Sequence, residues 1–506
     1  MFHYIAKSLG TPDTLAAIDL GSNSFHMIVV KVDDNNFQVI DKLREMVRLG
    51  AGLDKQKNLT PEAEQRALAC LERFGQRVRS LPQGAVRAVG TNTLRQVKDS
   101  RRFLRLAEQA LGHPIEIIAG REEARLVYLG VAHGLAAGNE RRLVVDIGGG
   151  STELIVGDGF RPRHMESIHM GCVSMTRKRF EDGVISEKAM QAAELTGAID
   201  MRPVKNEYRS AGWQMAIGSS GTIRAIGKVI KEAGWSDNSD VITASALEKL
   251  RNALVQAGTV EKIDLPGLSV ERRPVFPGGV AVLRSVFKAL NIDQMQVSDK
   301  ALREGLIYEM LGRIHHEDVR EATIKTLCKR YDVDMEHARR IEATARKLFA
   351  QIAPSWGLID REYTEMLGWA ARVHEIGLTI SHTQFQKHSA YIIANSDMPG
   401  FSRQEQKVLA ALIRNHRRKI SMDSVQELPD SIMHCVLQLC TILRLAVLLH
   451  RSRSLIPQID IQLSVFENTL QLQFPEGWLD SHPLSHMELK QEAKRMKAAG
   501  FKLKVN

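Results

Sequence analysis

Residues 19–27 read "DLGSNSFHM" and residues 146–154 read "DIGGGSTEL", so that one pattern occurs twice in the chain. In each segment an acid ends an apolar run, and a turn of glycine, serine or asparagine leads into the next run. Glycine permits a tight turn and a close approach of the backbone to a ligand, and consecutive turn amides form a concavity for an anion. A single segment is typical of an ordinary β-hairpin, whereas its repetition predicts two turns that hold phosphate from opposite sides.

The sequence around the two segments also repeats its order of strands and helices. Apolar alternation predicts strands over residues 14–47, followed by helix, strand, helix, strand and helix up to about residue 130. The same order begins again at residue 142 and includes a long helix over residues 186–209. We therefore predict two α/β units, each with helices packed on a mixed sheet.

The composition changes after about residue 315. Helical patterns dominate up to about residue 453, and alternating strands around one helix follow. The sequence thus predicts two α/β domains, an all-helical domain and a small α+β module, with the bounds 1–130, 131–314, 315–453 and 454–506.

Composition and charge restrict the class of protein. The chain has 506 residues and a formal net charge of +10, which favours an anionic partner such as nucleic acid, membrane lipid or polyphosphate. The five cysteines are scattered, which argues against a disulfide framework or a zinc site and favours a reducing cytoplasm. Residues 1–13 lack the apolar core of a signal peptide. The apolar residues 435–450 are too short, and with Arg444 too charged, to be a good membrane span.

Further motifs accompany the two opening segments: "GTNTLR" (90–95), "AGREEARLVYLG" (119–130), "MGCVSMTRKRF" (170–180), "IGSSGT" (217–222), "ALREGLIYEML" (301–311), "VHEIG" (373–377), "KHSAYIIANSDMPGF" (387–401) and "RNHRRKI" (414–420). With them the chain resembles the exopolyphosphatase/guanosine pentaphosphate phosphatase (Ppx/GppA) family of the actin, Hsp70 and sugar-kinase superfamily. The resemblance implies an α/β fold of two actin/Hsp70-like (RNase H-like) domains with a cleft between them, followed by an all-helical HD-like domain and a small α+β C-terminal module. It also implies a cytoplasmic, Mg²⁺-dependent hydrolase that forms a homodimer.

The same resemblance implies roles for individual residues. Glu123 is expected to be the general base for the attacking water; the alternative is an acid that merely suits the first turn of a helix. Asp146 and Glu153 match acids that hold Mg²⁺, and Asp19 is expected near the metal. Arg95 is expected to hold a terminal phosphate through its planar donor fork. The other implied phosphate-binding residues are Asn23, Ser24, Gly148, Gly149, Gly150, Ser151, Thr152, Ser219, Ser220 and Gly221.

Several other residues have simpler interpretations. His26 on an apolar strand is expected to be a core or interdomain histidine, and Cys172 has no partnered base that would make it a nucleophile. HD metal sites have a His-Asp pair where this chain has His374 and Glu375, which favours a degenerate, structural HD-like domain. A last group is either a solvated helix end or a track for polyphosphate, and comprises Arg417, Arg418 and Lys419.

For function, the resemblance favours an exopolyphosphatase, which hydrolyses terminal phosphate from inorganic polyphosphate with Mg²⁺. The glycine run at 148–150, "HSAYI" (388–392) and "RNHRRK" (414–419) are closer to that branch. The alternative is a guanosine-5'-triphosphate,3'-diphosphate (pppGpp) phosphohydrolase making ppGpp, or both activities. An ATP-dependent small-molecule kinase and a non-catalytic phosphate or nucleotide sensor also stay open. The expected partners are therefore polyphosphate or pppGpp and not nucleic acid; a transmembrane segment is not expected, and peripheral membrane association stays open.

Overall fold

The structure, a computed structural model, describes residues 13–33, 36–82, 84–98, 100–135, 140–236, 241–314, 318–453 and 460–506. The chain forms two units, Pro12–Glu317 and Asp318–Asn506. The predicted domain boundaries after residues 314 and 453 fall at segments 315–317 and 454–459, which lie outside the described residues.

The first half of the first unit is a sheet with helices on both faces. Its elements are β1 (Thr14–Leu20), β2 (Phe25–Asp33), β3 (Asn36–Glu45), α1 (Pro61–Val78), β4 (Val86–Gly90), α2 (Asn92–Gln96), α3 (Ser100–Leu111), β5 (Ile115–Ile117) and α4 (Gly120–His133). The strand order is β3-β2-β1-β4-β5. In the central strand β1, Leu15 and Ala17 join one hydrophobic core, whereas Ala16 and Ile18 join another. This alternation explains why β1 reads as a continuous apolar run.

The second half repeats this plan. Its elements are β6 (Arg141–Ile147), β7 (Thr152–Asp158), β8 (Arg161–Ile168), α5 (Cys172–Arg179), α6 (Glu187–Ala211), β9 (Met215–Ser219), α7 (Ser220–Glu232), β10 (Val241–Thr243), α8 (Ala244–Ala257), α9 (Phe276–Leu290), β11 (Gln294–Val297) and α10 (Leu302–Ile314). The strand order is β10-β11-β9-β6-β7-β8. In both halves the first strand pairs antiparallel with the second and parallel with the fourth. The two opening segments therefore occupy equivalent hairpins.

Helix α10 packs against the first half, although the sequence assigns it to the second. Its residues Leu306 and Ile307 share a core with Leu15 of β1. It crosses α4 closely, because a Cβ on Gly130 would collide with the carbonyl of Ala301 and one on Gly305 with that of Leu126. The chain thus returns to the first sheet after completing the second. A division of the chain at residue 130 assigns α10 to the second half and does not represent this packing.

The second unit combines a helical bundle with a small sheet. Its elements are α11 (Val319–Arg330), α12 (Met335–Trp356), α13 (Arg361–Val373), α14 (Phe385–Asn395), α15 (Arg403–Asn415), α16 (Asp423–Gln426), α17 (Asp430–Leu449), β12 (Gln462–Phe466), β13 (Thr469–Gln473), α18 (Trp478–Ser481), α19 (Pro483–Lys497) and β14 (Lys502–Val505). The sheet order is β12-β13-β14. Leu463 and Leu470 of the sheet belong to the same core as Leu439 and Leu443 of α17. The terminal module and the helices are therefore one folded body.

The apolar stretch of helix α17 is longer than the sequence analysis indicated: Ile432–Leu449 is long and apolar enough to cross a membrane. Within this unit, however, 72% of the stretch is buried. Its Arg444 is almost fully buried and forms an ion pair with the equally buried Glu492 of α19. A buried ion pair is stable only when both partners are satisfied, so α17 has the character of a core helix.

Candidate active site

The two repeated segments face each other across a cleft between the α/β halves. The second turn is closed by a hydrogen bond from the Gly148 N–H to the Ser151 carbonyl at 2.9 Å. A Cβ on Gly149 would lie 2.9 Å from the Cβ of Ser22, and one on Gly150 would lie 2.5 Å from Oδ1 of Asn92. Glycine is therefore needed here because the turn approaches the first half too closely for a side chain.

Most of the predicted site residues meet at this cleft. Those that line it are Asn23, Ser24, Glu123, Asp146, Gly148, Gly149, Gly150, Ser151, Ser220 and Gly221. Asp19 lines it as well. Of the residues predicted in this unit, four are not part of the lining: Arg95, Thr152, Glu153 and Ser219.

Two carboxylates dominate the electrostatics of the cleft. Burial, followed by the charges of Glu123 and Asp146, raises the pKa of Asp19 to about 8. Burial also raises the pKa of Asp146 to about 6, although the polar side chain of Ser219 beside it opposes the shift. The buried Oδ1 of Asp19 has no hydrogen-bond partner among the described residues. For both acids, burial is the first cause of the raised pKa and the negative charge of Glu123 adds to it, whereas the charge of Arg303 acts in the opposite direction.

Glu123 lies in the first turn of α4 and is held by the residue that was expected to bind phosphate. Nη1 of Arg95 donates to Oε2 of Glu123 at 2.8 Å and to the carbonyl of Ile118 at 3.0 Å. The two side chains are only 8% and 11% exposed. Nη1 of Arg95 is thus used by Glu123 and the backbone, and Arg95 is not part of the cleft lining, so its role toward a terminal phosphate stays a prediction.

The other residues outside the lining have structural contacts. Oε1 of Glu153 accepts a hydrogen bond from Ser167 at 2.8 Å, and burial raises the pKa of Glu153 well above its usual value. Glu153 is the cross-strand partner of Asp146. The hydroxyl of Thr152 donates to the carbonyl of Met170, and that of Ser219 donates to the carbonyl of Lys300 at 2.9 Å. These side chains hold the acid-bearing hairpin in place.

A third turn, residues 219–221, begins helix α7. Ser220 has a φ of +85°, a conformation that residues other than glycine seldom adopt. Its hydroxyl accepts from the N–H groups of Thr222 and Ile223 at 3.2 and 3.3 Å. The serine therefore caps its own helix, and its unusual backbone lies directly on the cleft wall.

The structure adds three arginines that the sequence analysis did not assign. Arg224, Arg272 and Arg303 line the cleft. Burial, followed by the charge of Arg44, lowers the pKa of Arg272 to about 10. Arg303 belongs to the quoted motif "ALREGLIYEML", which is a signal for it, whereas no motif marks the other two. Guanidinium groups form strong hydrogen bonds to phosphate oxygens, so these three arginines are suitable contacts for a ligand that carries phosphate.

The acids of the cleft are suitable ligands for a cation that takes its other ligands from water and phosphate. No group of three or more His, Cys, Asp or Glu side chains that could hold a metal ion occurs in the described part of the chain. Mg²⁺, however, usually takes one or two carboxylates and fills its other positions with water and phosphate oxygens. Asp19, with its unpartnered buried oxygen, and Asp146 are suitable for this arrangement.

In the second unit, the basic cluster is more extensive than its sequence segment. The pKa of Arg417 is lowered by burial and then by the charges of Arg418 and Arg451, so these residues from separate segments lie near one another. The guanidinium of Arg417 lies 4.5 Å from the ring centroid of Phe385, while Lys419 is exposed. Glu375 of the "VHEIG" motif binds the guanidinium of Arg453 through both oxygens at 2.7 Å.

Fold and cleft together define an actin-like α/β protein with a cleft lined by turns, carboxylates and arginines, and with a helical C-terminal unit. The model of the Ppx/GppA phosphatase family matches residues 28–314, and that of domain III of the Ppx/GppA phosphatases matches residues 319–493. The chain belongs to the Ppx/GppA phosphatase family and is a phosphoanhydride hydrolase.

Individual relatives agree with this assignment. A protein of Aeromonas hydrophila named guanosine-5'-triphosphate,3'-diphosphate pyrophosphatase is 39% identical over 488 residues, which are 96% of this chain and 97% of the relative. Among solved structures, an exopolyphosphatase-like protein has a TM-score of 0.54 at 23% identity and covers 60% of this chain and 98% of its own. An exopolyphosphatase from Cytophaga hutchinsonii has a TM-score of 0.52 at 23% identity, with 59% and 97% covered. The structural matches confirm the predicted actin-like fold.

Proposed function

We propose that this protein hydrolyses the terminal 5'-phosphate of pppGpp, giving ppGpp and inorganic phosphate. The observation that carries the proposal is the cleft in which Glu123, Asp19 and Asp146 stand opposite two backbone turns and several arginines. The guanosine substrate is supported by the relative named for it, at 39% identity over nearly the whole of both chains. This relative supports the alternative reading of the motifs better than the polyphosphate reading.

The proposed reaction uses the cleft residues in separate roles. Glu123 takes a proton from a water molecule as its oxygen attacks the terminal phosphorus, and the bond from phosphorus to the bridging oxygen breaks. Arg95, which donates to Oε2 of Glu123 at 2.8 Å, orients the base. Backbone amides of the two turns and the cleft arginines neutralise charge on the phosphate oxygens, because phosphoryl transfer depends mainly on positioning and electrostatics.

Mg²⁺ is proposed as the cofactor, with Asp19 and Asp146 as its protein ligands. Bound there, it supplies positive charge to the oxygens of the transferring group. Glu153, predicted as a ligand, is better suited to support Asp146 from behind, since it pairs with Asp146 across the hairpin and accepts from Ser167.

Polyphosphate hydrolysis is a second candidate activity, and the basic cluster of the second unit favours it. The charges of Arg418 and of Arg451, from a second segment, both lower the pKa of Arg417, and a long polyanion gains affinity from many basic contacts. We keep Arg417, Arg418 and Lys419 as the proposed polyphosphate track. pppGpp has few phosphates and does not need such a track.

The test is phosphate release from pppGpp and from long-chain polyphosphate side by side, each with and without Mg²⁺. We expect a kcat/KM for pppGpp at least about tenfold above that for polyphosphate chain ends, and no activity after chelation. A reversed preference would assign the protein to polyphosphate. Release from neither substrate, together with tight binding, would instead indicate the sensor.

Location and assembly also belong to the proposal. All five cysteines are free thiols, which suits a reducing cytoplasm. A homodimer is proposed from the family resemblance alone, and light scattering of the purified protein would measure it.

A further inference from the structure

Two hydrogen bonds connect the cleft arginine Arg303 to the first phosphate turn. Nη1 of Arg303 lies 3.4 Å from Nδ1 of His26, and Nε2 of His26 lies 2.7 Å from Oγ of Ser24. His26 pairs with Asp19 across the β1–β2 hairpin, and both line the cleft. The imidazole therefore stands between a permanent cation and a serine that borders the proposed phosphate site.

The chemistry of these groups fixes the direction of each hydrogen bond. A guanidinium has only donors, so Nδ1 of His26 accepts, and the neutral ring carries its single proton on Nε2. The other tautomer would set an N–H of the ring against an N–H of Arg303. Nε2 of His26 consequently donates to one lone pair of the Ser24 oxygen, and the hydroxyl hydrogen of Ser24 is not used toward His26.

The hydroxyl hydrogen of Ser24 is then available for another group. Among the described residues, the ring of His26 is the one hydrogen-bond partner of this hydroxyl. Ser24 also lines the cleft. A phosphate oxygen is a strong acceptor because it is charged, and it would complete the arrangement.

We infer that His26 is a positioning residue, which turns the hydroxyl hydrogen of Ser24 toward the cleft so that Ser24 donates to a phosphate oxygen of the substrate. This role rests on the proposed function, since it needs a phosphate group in the cleft. It also gives His26 a task beyond that of a core or interdomain histidine. Arg303 acts twice, as a cation beside the phosphates and as the group that selects the tautomer of His26.

The test is a double-mutant cycle between Ser24→Ala and an apolar replacement of His26, made both as His26→Phe and as His26→Leu so that one folded variant suffices. Each single change should lower kcat/KM for pppGpp about tenfold, the value of one hydrogen bond to a charged group. The double variant should lose no more than either single variant. His26→Gln, whose amide both accepts and donates, should stay within about threefold of the wild type. Losses that multiply in the double variant, or a failure of Gln to rescue, would overturn the inference.

Binding of inorganic tripolyphosphate, measured by calorimetry, separates this inference from the proposed function. The apolar variants of His26 and Ser24→Ala should each weaken binding about tenfold, and His26→Gln should restore it. If this pattern is found but the wild type hydrolyses neither pppGpp nor polyphosphate, the positioning role of His26 is supported and the proposed activity is wrong. If hydrolysis is found but the binding losses multiply in the double variant, the positioning role of His26 is wrong and the proposed activity is supported.

Discussion

Replacement of Glu123 by glutamine separates the chemistry of the site from its structural support. Removing a general base lowers the rate about 10²–10⁴-fold, which corresponds to about 3–5.5 kcal/mol of activation free energy. The same change weakens the bond from Arg95, which is nearly buried and donates at 2.8 Å. Loss of a charge-assisted hydrogen bond of this kind costs about 1–3 kcal/mol of unfolding free energy. The change in activation free energy should therefore exceed the change in unfolding free energy.

The neighbouring Glu122 provides a matched control. Its two oxygens accept from Arg125 at 2.8 Å each, and this pair is as buried as that of Glu123, with side chains 3% and 8% exposed. Glu122 is not part of the cleft lining. Glu122→Gln should therefore lose a similar amount of stability and keep kcat within about threefold of the wild type.

The assay combines initial rates of phosphate release from pppGpp at saturating Mg²⁺ with urea unfolding of the same preparations. The expected result is a large fall in kcat for Glu123→Gln alone and a comparable shift of the unfolding midpoint in both variants. A folded Glu123→Gln protein with turnover within about tenfold of the wild type would refute the assignment of the base. Equal losses of kcat in both variants would show that the effect comes from the ion pairs and not from the cleft.

Three further changes test the metal, the basic cluster and the helical unit. Asp146→Asn should raise the Mg²⁺ concentration for half-maximal activity, because an anionic ligand is lost; activation curves that overlay the wild type would remove Asp146 as a ligand. Changing Arg417, Arg418 and Lys419 together to glutamine should raise the KM for long polyphosphate, and lower the salt dependence of that KM, more than it changes the same quantities for pppGpp. Equal effects on both substrates would mean that these residues form only a solvated helix end. Glu321→Gln should destabilise the protein by about 1–2 kcal/mol at pH 7, after discounting for partial exposure. Hydrogen bonds from Arg372 lower the pKa of Glu321 from 4.5 to about 2. The difference in unfolding free energy between the wild type and Glu321→Gln should therefore be full above about pH 4.5 and vanish as the pH falls through about 2. A difference that does not depend on pH would contradict this origin.

Much of the site could be predicted because its functional residues are close together in the sequence. The acid and the turn of each opening segment are consecutive residues, so Asp19, Asp146 and the glycine run were visible without a fold. Their duplication also predicted that the turns would face each other. The short helices α2 and α5 were not predicted, since five and eight residues are too few for a helical period to be distinct.

The motifs and the relatives favour different substrates, and the difference rests on a few positions of the sequence. The glycine run and basic cluster favoured polyphosphate, whereas the relative at 39% identity favours pppGpp. Motifs that bind phosphate do not distinguish the substrates because both present a terminal phosphoanhydride.

The sequence by itself determined the two α/β repeats, the helical C-terminal region and the acids of the cleft, because each is encoded by a local pattern of burial or charge. Only the tertiary structure decided that Arg95 holds Glu123, that Arg272 and Arg303 line the cleft, and that α10 returns to the first sheet. The physical reason is that these relationships depend on where side chains far apart in the chain point after packing. The hydrogen bonds from Arg303 through His26 to Ser24 span 277 and 2 positions of sequence, and packing of α10 onto the first sheet brings them together.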